Sequence, residues 1–241
     1  MLNSTPSSLA VLELSQVTYN PSDPVSHVLA ILTLSPIMVI PAYLVAFVFE
    51  REATVLNMLA GQLINEAFSW VLKQNIKAER PYANIGSGNA SPSSHAQFFG
   101  YLFTFLLVVL TQVQTSPKSW TDEQKTLWWW KRLIVLVGTA IWSFLLCFSR
   151  WYLYYHTTSQ VYFGFFLGVV FALVWASITE VSPRLSPEGL AGISRRWVVH
   201  TLLGSWPLKY LEVGDRWEAG KDGWEKFGGR PGGNGSERKE D

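Results

Sequence analysis

The sequence predicts an all-α fold, a multi-pass bundle of five to six transmembrane helices. Three observations predict it. Of the 241 residues, 49% are hydrophobic and only 15% are charged, against roughly 25% charged in ordinary soluble proteins. The apolar residues are gathered into long runs rather than scattered along the chain. Aromatic and basic residues stand at the edges of those runs, as in WWWKR at 128–132, where such side chains anchor helices at a membrane–water interface. The net charge of +1 gives no bulk attraction to nucleic acid or to an acidic partner.

Residues 1–26 are polar, punctuated by Pro and Ser, and read as an exposed arm. His27 to Phe49 contains no Lys, Arg, Asp or Glu. A helix of that length covers about 34 Å and crosses a hydrocarbon layer of roughly 30 Å with some tilt. Pro36 and Pro41 lie inside it, a position that transmembrane helices tolerate. Residues 53–72 form a second, less apolar candidate, in which Gln62, Asn65 and Glu66 are expected to face the bundle. Its alternative is a partly interfacial helix. Residues 73–95 read as a loop, rich in helix breakers.

A third span is expected over 97–113, followed by the polar stretch TQVQTSPKSWTDEQK. The fourth covers 133–148 and the fifth 161–178, joined by the short WYLYYHTTSQ segment. In the tail, 181–241, the stretch 196–211 reads as a helix lying in the interface, because Arg195, Arg196, Pro207 and Lys209 crowd it. Cys147 is the only cysteine, which excludes an intramolecular disulfide and a cysteine-rich metal site.

Five spans put the two ends of the chain on opposite faces. One face carries Arg51, Lys118, Lys125, Lys131, Arg132, Arg184, Arg195 and Arg196, and the other Lys73, Lys77, Arg80 and Arg150. The positive-inside bias then expects a cytosolic C-terminus and a lumenal or external second face.

Three short motifs share that second face: Lys73-x6-Arg80-Pro81, Pro92-Ser93-Ser94-His95, and Ser149-Arg150-x5-His156-x3-Gln160. Each has a plain reading. Lys73 and Arg80 can anchor a helix end, Ser93 and Ser94 can cap one, and Arg150 can snorkel. Together they place three cations and two histidines beside the ends of hydrophobic spans. Arg offers a fork to phosphate oxygens and Lys a compact charge, and such clamps hold the charge that develops on a transferring phosphoryl group.

As an ordered set the motifs resemble the three-part signature of the type 2 phosphatidic-acid-phosphatase-like membrane phosphatases. The resemblance covers about 73–160. Two positions depart from the pattern: Ser94 stands at the family's glycine and Gln160 at its aspartate. KQNIKAERP, the PSSH form of the second motif and SRWYLYYHTTSQV are closer to the dolichyl-diphosphate phosphatase branch, whose members also carry the glutamine.

The resemblance implies that His156 attacks phosphorus to form a phosphohistidine, and that His95 protonates the leaving oxygen and later helps activate water. It implies phosphate binding by Lys73, Arg80, Ser93, Ser94 and Arg150, and orientation of His156 by Gln160. It further implies a dolichyl (polyprenyl) diphosphate substrate, a lumenal site in the endoplasmic reticulum membrane, a role in recycling the lipid carrier of protein N-glycosylation, and no metal or other cofactor. Asn89-Ala90-Ser91 matches a glycosylation acceptor, expected to be unused so close to the site; Asn3-Ser4-Thr5 is the more accessible one. The rival readings are a phosphatase of the same mechanism acting on phosphatidate or another lipid phosphate, and a transporter or scaffold that binds a phosphorylated lipid without cleaving it.

Overall fold

The computed structural model describes residues 10–12, 17–82, 85, 88–113, 116 and 120–203. The first apolar segment, expected as one helix, is two. Helix α1 (Pro24–Leu32) starts on Asp23, whose carboxylate accepts the Val25 N–H at 3.0 Å. Helix α2 follows over Ser35–Glu50. The break comes just ahead of Pro36, which has no N–H to offer the Leu32 carbonyl; the Ser35 hydroxyl bonds to that carbonyl instead. Pro41, in contrast, lies within α2 without ending it.

Helix α3 (Ala53–Ile76) has 24 residues and stops where Lys77 turns left-handed at φ 47°. Its Gln62, Asn65 and Ser69 are buried. Asn65 and Gln97 hold α3 to the next helix through reciprocal bonds: Gln97 Nε2 donates to Asn65 Oδ1 at 2.9 Å, and Asn65 Nδ2 donates to the Gln97 carbonyl at 3.4 Å. That helix, α4 (Ser94–Val108), runs on as a π-helical turn over Val109–Val113.

Helix α5 covers Asp122–Tyr152, beginning well before the expected span at 133. The polar TDEQ segment is a capping box: the Thr121 hydroxyl accepts from Gln124 N, and the Gln124 side chain accepts from Thr121 N. In the early turns of α5 the buried Arg132 guanidinium lies 3.2 Å from the Trp128 ring centroid.

Helix α6 (Thr158–Ala176) continues as a π-helical turn over Ser177–Val181, followed by α7 (Ser182–Leu185) and α8 (Leu190–Leu203). The expected interfacial helix at 196–211 thus falls partly on α8, and 204–211 lies outside the described residues. At the N-terminus, β1 (Ala10–Leu12) and β2 (Val17–Tyr19) pair antiparallel, with Ala10 opposite Tyr19.

Among the described residues, four stretches are long and apolar enough to cross a membrane: Pro24–Glu50, Ser94–Val113, Asp122–Tyr152 and Thr158–Leu185. Helix α3 has the length but, with its polar stripe, not the composition. The most enclosed of the four is Ser94–Val113, where Phe98, Phe99, Tyr101 and Phe105 are buried. Helix α6 lies directly against it. A Cβ on Gly164 would come within 2.5 Å of the Ser93 carbonyl oxygen, and one on Gly168 would collide with the carbonyl of Gln97. Hydrogen at these positions is what lets the two backbones touch.

At the other end of α3 and α6, Glu180 is wholly buried. Arg195 of α8 pairs with it at 3.0 Å, Arg184 at 3.7 Å, and Asn57 of α3 donates to it at 2.6 Å. This network ties α3, α6 and α8 together away from the motif-bearing end.

Gly168→Ala should lower the apparent unfolding temperature in detergent by several degrees, because overpacking costs roughly 1–3 kcal/mol. Gly138→Ala, where a Cβ meets open space, should not lower it, since alanine is the better helix former. Equal losses at both positions would contradict the close α4–α6 packing.

Candidate active site

The helices alternate in direction, so the C-terminal turns of α3 and α5 meet the N-terminal turns of α4 and α6. Lys73 sits in the last turn of α3, and its Nζ donates to Ser94 Oγ at 2.9 Å, in the first turn of α4. Ser93 is the N-cap of α4, and its N–H reaches the Gln160 carbonyl at 3.4 Å, joining the second motif to the third. The Ser91–Pro92 peptide bond just before it is cis. Arg150 ends α5, buried. Arg80 crosses from the loop, donating through Nε to the Gly88 carbonyl at 3.1 Å and through a terminal nitrogen to the Tyr155 carbonyl at 3.2 Å.

The structure therefore gathers Lys73, Arg80, Ser93, Ser94, His95, Arg150 and His156 at one end of the bundle. His156 lies within electrostatic reach of Arg150, Arg80 and Lys73, and His95 within reach of Arg150, His156 and Lys73. Two buried groups here have no hydrogen-bond partner among the described residues: Ser93 Oγ and Arg150 Nε. Buried polar atoms left open in this way are costly unless a ligand or water satisfies them. A hydroxyl and a guanidinium N–H beside further cations suit an anion.

The turn after α5 presents the third motif. The Arg150 carbonyl accepts from both Tyr155 N and His156 N at 3.2 Å, with Tyr154 left-handed at φ 60° to make the reversal. His156 Nδ1 then lies 2.9 Å from the Ala90 carbonyl oxygen. A carbonyl only accepts, so Nδ1 carries the proton and Nε2 keeps its lone pair. Burial pushes the His156 pKa down to about 3, and the positive charges of Arg150, Arg80 and Lys73 add to the shift, against a smaller opposing effect of the Ala90 bond. Arg80, outside the helices, is also lowered by burial.

His95 is held in a similar way, with Nε2 3.2 Å from the Thr33 carbonyl. That carbonyl is open because of the break between α1 and α2. In a continuous helix Ile37 N would bond to it, but Ile37 N instead reaches the Leu34 carbonyl at 3.0 Å.

Gln160 is placed differently from the expectation that it orients His156. Its Oε1 accepts the Thr157 N–H at 3.0 Å, its N–H bonds to the Thr157 hydroxyl, and its Nε2 donates to the Glu79 carbonyl at 3.1 Å. It completes the capping box of α6 and fastens the loop bearing Arg80. The nitrogen it was expected to hold is taken by Ala90. The Asn89 side chain is likewise engaged, donating to the Lys73 carbonyl at 2.7 Å. Ala90 and Thr33 act through backbone carbonyls, for which no residue type is a signal, although Pro36 marks the break that opens Thr33. Among the described residues, no three His, Cys, Asp or Glu side chains gather in a way that could hold a metal.

A family model described as the PAP2 superfamily matches residues 54–183. The chain belongs to that superfamily, as the resemblance in its motifs implied. Its similar curated relatives include human dolichyldiphosphatase 1, 34% identical over 192 residues that make up 77% of this chain and 78% of the relative. The dolichyldiphosphatase of Saccharomyces cerevisiae is 36% identical over 177 residues, 70% of each chain. Mouse dolichyldiphosphatase 1 is 34% identical over 183 residues, 73% of this chain and 74% of the relative. No solved structure matches.

With a folded pKa of about 3 against about 6.5 in an unfolded chain, His156 takes up no proton in the native state between those limits, while the unfolded chain does. Its contribution to stability is therefore full above about pH 6.5 and is lost as pH falls toward 3. In ligand-free protein with labelled imidazole carbons, the His156 signal should stay flat from about pH 8 to 5, and His156→Gln should soften acid unfolding across that window. A midpoint near 6.5 would contradict the buried, cation-flanked geometry.

Proposed function

We propose that the protein hydrolyses dolichyl diphosphate to dolichyl phosphate and inorganic phosphate, through a phosphohistidine at His156. The observation that carries this is the unprotonated His156 Nε2, left free by the Ala90 bond beside Lys73, Arg80 and Arg150. The dolichyldiphosphatase relatives support the choice of substrate.

In the first step Nε2 attacks the terminal phosphorus and the bond from phosphorus to the bridging oxygen breaks. The leaving dolichyl phosphate takes a proton from His95, which can carry one once the negative charge of the bound diphosphate offsets Arg150 and Lys73. Lys73, Arg80 and Arg150, with the Ser93 and Ser94 hydroxyls, hold the three equatorial oxygens, whose charge they stabilise without water between. In the second step His95 removes a proton from a water molecule, whose oxygen attacks the phosphorus, and the phosphorus–nitrogen bond breaks to release phosphate. Gln160 serves this chemistry at one remove, by fixing the start of α6 and the Arg80 loop.

Helix α3 serves as a fifth crossing in this reading. Its 24 residues span about 36 Å at helical rise, with Asn57 at the Glu180 network near one end and Lys73 at the site near the other. Its polar stripe faces protein, where Asn65 bonds to Gln97 and the Gln62 carbonyl oxygen accepts from the Tyr43 hydroxyl. The distribution of Lys and Arg supports a lumenal site with the C-terminal side in the cytosol, and the dolichyldiphosphatase relatives support the endoplasmic reticulum as the membrane. The product would return to the carrier cycle of N-glycosylation.

The test is phosphate release by purified protein in detergent with EDTA, from dolichyl diphosphate, phosphatidate and dolichyl phosphate in parallel. Selective release from the diphosphate is expected, with His156→Ala reduced to background and His95→Ala slowed by roughly 10²–10⁴-fold. Preference for phosphatidate would overturn the substrate, and no release from folded protein would favour a non-catalytic lipid binder.

A further inference from the structure

Tyr155 stands between the two arginines of the site. The Arg150 guanidinium lies over its ring, 4.1 Å from the centroid, and that of Arg80 lies at 5.9 Å. The Tyr155 carbonyl accepts from Arg80 at 3.2 Å. At its far end the hydroxyl accepts the Thr18 N–H of β2 at 2.7 Å. Only 4% of the residue is exposed, and it packs with Val17, Leu29, Ala30 and Leu153.

A buried guanidinium is usually held by a carboxylate. Here that would defeat the purpose, because a carboxylate neutralises the charge and occupies the N–H groups an incoming phosphate needs. Among the described residues no carboxylate pairs with Arg150; its ring neighbour is Tyr155, and the charged groups about it are Arg80, Lys73 and the two histidines. An aromatic face attracts the cation through its quadrupole and leaves the in-plane N–H groups open. Arg150 Nε, buried and without a partner among the described residues, is such a group. Anchoring the ring by its hydroxyl fixes the plane on which the guanidinium rests.

We infer that Tyr155 is a positioning residue for phosphate: its ring sets the planes of Arg150 and Arg80, and its hydroxyl ties that ring to strand β2. The inference rests on the reading of these arginines as the phosphate clamp. It also gives the N-terminal strand a task, since β2 holds the outer edge of the device.

The test uses full-length protein in detergent and inorganic phosphate as a competitive inhibitor of dolichyl diphosphate hydrolysis, with Arg150→Ala run beside the Tyr155 variants. Tyr155→Leu should raise the phosphate inhibition constant and KM by about tenfold, with kcat changed much less. Tyr155→Phe and Tyr155→Trp, which keep a ring, should recover most of that affinity, both falling short of the native protein because neither side chain can accept the Thr18 N–H. Unchanged phosphate affinity in Tyr155→Leu, alongside its loss in Arg150→Ala, would overturn the inference and leave the clamp standing. Equal losses in Leu, Phe and Trp, tracking a lowered unfolding temperature, would also overturn it by reducing the ring to packing. Unchanged affinity in Arg150→Ala itself would remove the clamp on which the inference stands.

Discussion

Gly164 lets the backbone of α6 come against the backbone of Ser93, and the motif-bearing end of the bundle depends on that approach. Ser93 caps α4 and opens the second motif, and its N–H bonds to the carbonyl of Gln160 in the third. One turn deeper, Gly168 brings α6 onto the Gln97 carbonyl, and Gln97 in turn holds Asn65 of α3. The same column of contacts therefore sets three helices in register. With that register fixed, Lys73 at the end of α3 meets Ser94 at the start of α4. A side chain on either glycine would separate the motifs before it touched any side chain of the proposed phosphate clamp.

On this scaffold the site concentrates positive charge in a buried place. Arg150 and His156 are both nearly inaccessible, and among the described residues no carboxylate forms an ion pair with Arg150. Backbone carbonyls do much of the orienting. Ala90 holds His156, Thr33 holds His95, and Gly88 and Tyr155 hold Arg80. Carbonyl dipoles direct protons without adding a full negative charge, so the cradle keeps its attraction for phosphate. The depressed pKa of His156, traced to burial and to its cationic neighbours, follows from the same arrangement. It keeps the His156 imidazole deprotonated in the ligand-free protein, as the proposed nucleophilic role requires. Gln160 fits too, because an amide there can brace the loop and the helix start without placing a carboxylate beside the arginines.

The helical class and the position of the site were legible because they rest on side-chain patterns. Long runs without charge mark the helices, and the spacing of Lys73, Arg80, His95, Arg150 and His156 marks their meeting point. Helix ends were less legible. The TDEQ segment before α5 was read for its polarity, although Thr121 and Gln124 form a capping box. The same chemistry at Thr157 and Gln160 took Gln160 away from the histidine. By sequence Pro36 reads as a tolerated position inside one helix, whereas it accompanies a break that frees the Thr33 carbonyl. The contributions of Ala90 and Thr33 come from backbone atoms, and that of Tyr155 from contacts with distant Arg80 and Thr18. None of these has a local spacing to read.

The central claim is that His156 Nε2 forms a bond to phosphorus. Rapid mixing with dolichyl diphosphate labelled on its terminal phosphate, followed by an alkaline denaturing quench, tests it most directly. The account predicts protein-bound label that is acid-labile and base-stable, that maps to the peptide containing His156, and that is absent from His156→Ala. Phosphate released in the first turnover with no label on the protein, or label on another residue, would contradict it.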